Sequence, residues 1–269
     1  MARRKDVHVD SLLKIRTALL SLGILLFALA PLVWAQDHDK HAGHEGHEGH
    51  DGHAGMTMPG DENALTPAAE AKLLADKKES EFNHHVAGFF VVLAGIFLLF
   101  QDRLAKVSSA VKFVWPACFL LSGIFVLIWS DTELWPFGNR QWLEALQNNR
   151  EVLQHKTFAV LLLALGTIEW QRVRGVITSI WSAWVFPAVA FAGSVLLLFH
   201  QHEGGMQGPG HMEVMARIQF EHFTYSIAGI GIGLATGLAE MKPRWQPIFG
   251  TLRGVLMVAL GVLLMFYRE

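Results

Sequence analysis

Six apolar runs, near residues 85–100, 113–130, 156–170, 181–199, 223–239 and 248–267, succeed one another along the chain. Each is close to the ~20 residues that an α-helix needs to cross the hydrocarbon of a bilayer. That succession predicts an all-α integral membrane protein, a six-helix transmembrane bundle occupying residues 63–269. Composition agrees: 52% of the residues are hydrophobic and only 17% are charged, too apolar a balance for an ordinary soluble domain. A formal net charge of -2, with no basic cluster beyond the N-terminus, leaves no electrostatic footprint for nucleic acid. The expected partner is the lipid bilayer.

An earlier run, Ala18 to Trp34, comes after the basic residues Arg3, Arg4, Lys5, Lys14 and Arg16 and ends in Val33-Trp34-Ala35. This is the pattern of a secretory signal over residues 1–35 with a cut near Ala35/Gln36, or of an uncleaved signal anchor. Either way the basic end stays in the cytoplasm and the segment after Ala35 is exported.

That exported segment, residues 36–62, places histidine at every third position, His38, His41, His44, His47, His50 and His53, then adds Met56 and Met58. Gly, Glu and Asp fill the gaps, so the segment has almost nothing apolar to bury and reads as disordered. Imidazole suits copper, zinc, nickel and iron, and thioether leans toward reduced copper. The segment reads as a metal-collecting arm, with a merely polar linker as the bland alternative.

Six crossings from an external start return the C-terminus outside. The connections that then face the cytoplasm carry Arg103, Lys106 and Lys112, then Arg172 and Arg174, then Lys242 and Arg244, which is the inside placement of positive charge that insertion favours. Asp102, Glu169 and Glu240 at the same ends read as interfacial anchors paired with Arg103, Arg172 and Lys242. Thr66-Pro67 offers an N-cap with proline at the first helical position, predicting a short helix that feeds the first crossing. Between the second and third crossings Trp135 and Trp142 sit where an interfacial aromatic belt belongs, and residues 140–150 predict a small surface helix.

The crossings also suggest three repeated helical hairpins. Each inward run opens with a histidine, His85, His155 or His222. Each returning run is entered through Pro116, Pro187 or Pro247 and has a glycine six or seven positions later, Gly123, Gly193 or Gly254.

With the crossings so placed, every histidine except His8 falls in the exported arm or at an outer helix end. The helix-end set is His84, His85, His155, His200, His202, His211 and His222, and Met206 and Met212 lie in the same 200–222 connection. That loop holds enough nitrogen and sulfur donors to enclose an ion. His200 and His202 would diverge on a regular helix, and Gly204-Gly205 ends the helix so that they can converge. Glu203, Glu213 and Glu221 are available to fix imidazole tautomers. At any single helix end, a histidine is equally at home as an amphipathic ring at the interface. The one cysteine, Cys118, lies inside an apolar run, so neither a disulfide framework nor a cysteine-based zinc site is available.

The stretches FNHHVAGFFVVLAGIFLLF, WPACFLLSGIFVLIWSD, LLLFHQH and HMEVMARIQFEH together resemble copper-resistance D (CopD-like) membrane proteins, over roughly residues 80–269. The resemblance implies a bacterial inner-membrane protein with a periplasm-facing copper site, serving copper resistance, homeostasis or transport. It also implies a periplasmic copper carrier as partner. The best-known members have more crossings than the six counted here.

Two other readings compete with a non-enzymatic copper protein. Two of His85, His155, His200 and His222 could serve as axial ligands of a haem, since helix bundles build such sites from facing helices. Alternatively the histidines of an accessory membrane subunit buffer zinc or nickel. Hydrolytic catalysis finds no support, because there is no nucleophile elbow or phosphate loop, and HEGGM at His202 lacks the second histidine of a zinc-protease pair.

Overall fold

The computed structural model describes residues 66–134, 136–200 and 211–268. Residues 1–65, which include the expected signal and the histidine-rich arm, lie outside the described residues, as do Trp135, His202 and Met206. Among the described residues, seven α-helices carry the fold: α1 Pro67–Leu104, α2 Val114–Trp129, α3 Trp142–Asn148, α4 Arg150–Val173, α5 Val185–Leu198, α6 His211–Met241 and α7 Gln246–Met265. Short 3-10 turns, Ser109–Phe113 and Ile180–Trp184, lead into α2 and α5. There is no strand among the described residues.

The local rules act where the sequence places them. Thr66 caps α1 by accepting the Ala69 N–H at 3.3 Å, and Pro67 takes the first turn, where its missing N–H costs nothing. The feeding helix and the first crossing are one continuous 38-residue helix, because helix-forming residues bridge them without a break. Asn149 caps α4 through the Val152 N–H at 2.8 Å. At the other end of α4 the chain reverses through Gly175, whose φ of 72° is a left-handed conformation that costs a side-chain-bearing residue free energy. The surface helix expected over 140–150 is α3.

Among the described residues, five segments are long and apolar enough to span a membrane: Pro67–Leu104, Ser109–Trp129, Arg150–Val173, Ile180–Leu198 and Gln246–Met265. The sequence alone predicts six. The remaining long helix, α6, has ample length at 31 residues, but Gly229, Gly231, Gly233, Thr236 and Gly237 dilute its apolar stretch. Large apolar side chains stand exposed on the outer surface, among them Phe89, Leu121, Val160, Phe191 and Leu234. Such a surface suits lipid and not water.

The long helices close into a ring in the order α1–α2–α4–α5–α6–α7, with α7 packing back on α1. All six contribute to one central cluster, built on Ala94, Trp115, Cys118, Phe119, Leu165, Phe186, Ile232 and Met257. Between membrane helices there is no hydrophobic drive to association, so close van der Waals approach must hold the ring. Small residues provide it. Gly88 and Gly95 of α1 lie against Gly261 and Gly254 of α7, and Gly123 of α2 and Gly166 of α4 lie against Leu163 and Leu120 across their seam.

Candidate metal centre

Of the histidines predicted for the outer helix ends, the described ones, His84, His85, His155, His200 and His222, gather at one end of this ring. His155 lies in the second turn of α4, and His200 comes just after the end of α5. Glu151 lies four residues before His155, and so on the same face of α4. One ligand atom from each of Glu151, His155 and His200 lies within 4.8 Å of the others.

Hydrogen bonds orient both imidazoles. His155 Nδ1 donates to Asp131 Oδ1 at 3.1 Å. His200 Nδ1 donates to Gln154 Oε1 at 2.7 Å, and Gln154 is itself held by donating from Nε2 to the Phe199 carbonyl at 3.1 Å. A neutral imidazole with its proton on Nδ1 has its lone pair on Nε2, the nitrogen through which such a ring ligates. His200 is buried, while Glu151 and His155 are half-buried, so the centre keeps a side toward solvent.

Asp131 is the hub of the support. Its other oxygen takes an ion pair from Lys156 Nζ at 2.8 Å, and the two side chains are each only 6% exposed. Lys156 also donates to the Leu127 carbonyl at 2.9 Å and to Ser130 Oγ at 3.2 Å. Burial alone would push the Asp131 carboxyl up, but His155 and Lys156, by hydrogen bond and charge, hold it well below the usual carboxylate range. The ionised group therefore favours the folded state above about pH 4, the ordinary carboxylate value, and loses that contribution only as acid reaches its lowered folded value. Asp131→Asn strands the Lys156 charge, and breaking a buried pair from one side typically costs about 3–5 kcal/mol. Thermal unfolding against pH should show that deficit at neutral pH and a shrinking gap between variant and wild type well below pH 4.

The other predicted donors continue the line. The His200 ring lies 5.0 Å from His222 on α6, and His222 lies 6.0 Å from His84 on α1. His155 to His200 is 5.3 Å. The repeat alignment points to His85 as the partner of His155 and His222. One residue along a helix turns the side chain by about 100°, and it is His84 that stacks on Tyr267 at 3.9 Å and meets His222. His85 instead engages the Tyr267 carbonyl at 3.0 Å. Met212 is 80% exposed. His211 opens α6, and its side chain, like His202, Met206 and the arm residues His38 to Met58, lies outside the described residues.

No family model, curated protein or solved structure matches this chain. The chemistry open to the centre is therefore set by its donors. Two imidazole nitrogens and a carboxylate oxygen form a borderline set that fits copper(II), zinc, nickel or iron(II) and leaves coordination positions open. The set is harder than the methionines of the arm suggest. Haem fits it less well, because the macrocycle fills the equatorial positions of its iron and two axial ligands complete it, leaving no place for a third convergent protein donor.

Sequence reasoning overlooks Glu151, Asp131 and Lys156. The signals are present: Glu151 and His155 are four apart, and Lys156 stands at the mouth of an apolar run, where an unpaired charge is costly.

Proposed function

We propose that this chain is a membrane protein that binds a divalent transition-metal ion, copper(II) first, at Glu151, His155 and His200, on the side to which the histidine arm is exported. The observation that carries the reading is the convergence of those three donors with both imidazoles pre-oriented by Asp131 and Gln154. Copper(II) stands at the top of the affinity order for nitrogen and oxygen sites, ahead of zinc and nickel. The resemblance of the sequence to copper-resistance D proteins points the same way, toward copper tolerance or supply at a bacterial inner membrane.

In this reading α6 is the sixth crossing, and the ring consists of three hairpins, α1–α2, α4–α5 and α6–α7. Each packs against the next, and each return helix carries Pro116, Pro187 or Pro247 in its first turn. The arm, with its many weak imidazole sites, raises the local concentration of ion near the centre. The line His155–His200–His222–His84 leads away from it across the same end of the bundle.

Metal analysis after dialysis, on detergent-solubilised full chain and on a variant lacking residues 36–60, tests the proposal. The expected result is a tightly held copper in both proteins, with the loosely held excess lost on deletion. A variant that retains none would locate binding in the arm and overturn the assignment to the helix ends.

A further inference from the structure

At the end of the ring opposite the histidines a cavity of about 520 Å³ opens between α1, α2, α4, α6, α7 and the turn before α5. Glu169, Arg172, Glu240 and Arg253 line it beside the hydroxyls of Ser179 and Ser182. Ionisable groups in membrane bundles face the interior or a water-filled space, and here they face this cavity, which is therefore an aqueous vestibule. Trp115 of the central cluster forms part of its wall. Cys118, three residues along α2 and the one cysteine of the chain, lies in the same cluster and is 4% exposed.

An ion pair crosses the vestibule. Arg172 of α4 donates from Nη1 to Glu169 on its own helix at 2.9 Å, and from Nη2 to Glu240 of α6 at 3.2 Å. These two helices are not neighbours in the ring, since α5 stands between them. The expected pairing of Glu240 with Lys242 is replaced by this bridge, and Lys242 sits over the Trp245 ring at 4.9 Å.

The two arms of Arg172 meet water differently. The Glu169 side chain is 4% exposed, so the arm within α4 is sealed, and breaking it would strand a buried charge. The Glu240 side chain is 31% exposed, so water and salt compete for the arm that crosses the ring. One arm anchors the guanidinium, and the other can let go. Just past Arg172 the chain turns through Gly175, and residues 177–180 line the vestibule, so the wall beside the bridge is a connection and not a packed α-helix. We infer that the Arg172–Glu240 pair is a releasable strap. Closed, it ties α4 to α6 over the vestibule and keeps water from Cys118. Released, it lets the end of α4 swing out with the Gly175 connection and admits water to the central cluster.

The strap shares no residue with the metal centre, and its test needs no metal. Full-length protein in mild detergent is treated with N-ethylmaleimide, and modification of Cys118 is followed by intact mass. Wild type should react slowly, and faster as sodium chloride is added, because salt screens the exposed arm. Glu240→Gln should react about 2- to 5-fold faster, the range that a partly exposed ion pair supplies, and should lose the salt dependence. Arg140→Gln, which removes an exposed ion pair with Glu133 in the loop after α2, should leave rate and salt dependence as in wild type. The salt dependence of the wild type needs no variant, so it keeps the test open if Glu240→Gln does not fold. Equal rates in wild type and Glu240→Gln, or a wild-type rate indifferent to salt, would overturn the assignment.

Discussion

His155→Ala combined with His200→Ala should abolish tight copper binding while leaving the helix content of the protein intact. Each substitution removes a nitrogen donor from a three-donor set, and the remaining carboxylate of Glu151 cannot hold the ion against dialysis. The single variants should fall by more than the roughly 10- to 100-fold that loss of an orienting partner gives at metal sites. That lesser range is the one expected for Gln154→Ala, which releases His200 Nδ1 and frees the ring to rotate. Graded copper competition with a chelator of known affinity would rank the variants. A ranking in which Gln154→Ala binds as poorly as the double histidine variant would mean that the centre depends on local packing and not on ligation. Copper(II) electron paramagnetic resonance adds a readout that a structural defect would not mimic, since nitrogen hyperfine structure should simplify when one imidazole is removed.

Legibility in the sequence divides along the range of the forces involved. Helices, caps and ends are written in local sequence: Thr66-Pro67 caps α1, and Pro116, Pro187 and Pro247 sit in the first turns of their helices. The gathering of helix-end histidines is legible too, because each apolar run fixes the depth of the residue that opens it. Rotation about a helix axis is not. His84 and His85 share a depth, and only packing against Tyr267 and α7 decides which of them turns toward His222. Asp131 is hidden for a related reason. It comes from the end of α2, 24 positions before His155, and only the α2–α4 seam brings the two within a hydrogen bond. The crossing count falters at α6, where the glycines that thin its apolar stretch are also the ones that let it approach its neighbours. Gly229 faces Ser194 and Gly233 faces the Pro187 carbonyl of α5.

Gly261→Ala should be among the most destabilising single-methyl changes in this protein. A Cβ at that position would lie 2.6 Å from the Val92 N and 2.7 Å from the Gly88 carbonyl oxygen, both backbone atoms of α1. No side-chain rotation can relieve such contacts, so α1 and α7 must separate along the seam that closes the ring. Overpacking usually costs about 1–3 kcal/mol, and a clash with backbone on a neighbouring helix belongs at the upper end of that range or beyond it. Gly250→Ala, on the same helix, is the matched control. There the nearest atom to a new Cβ is the Gln246 side-chain nitrogen at 3.6 Å, an ordinary contact. Replacing a helical glycine where there is room typically stabilises by about 0.4–1 kcal/mol, so the two substitutions should shift the detergent melting temperature in opposite directions. Because the membrane interior gives helices no hydrophobic reason to associate, a seam opened by one methyl has little to restore it. The damage should also reach the histidine end of the ring, where His84 on α1 meets Tyr267 just beyond α7. Equal melting temperatures for Gly261→Ala and wild type would mean that the α1–α7 seam is looser than its glycine-to-glycine packing implies, and that the ring is held closed elsewhere.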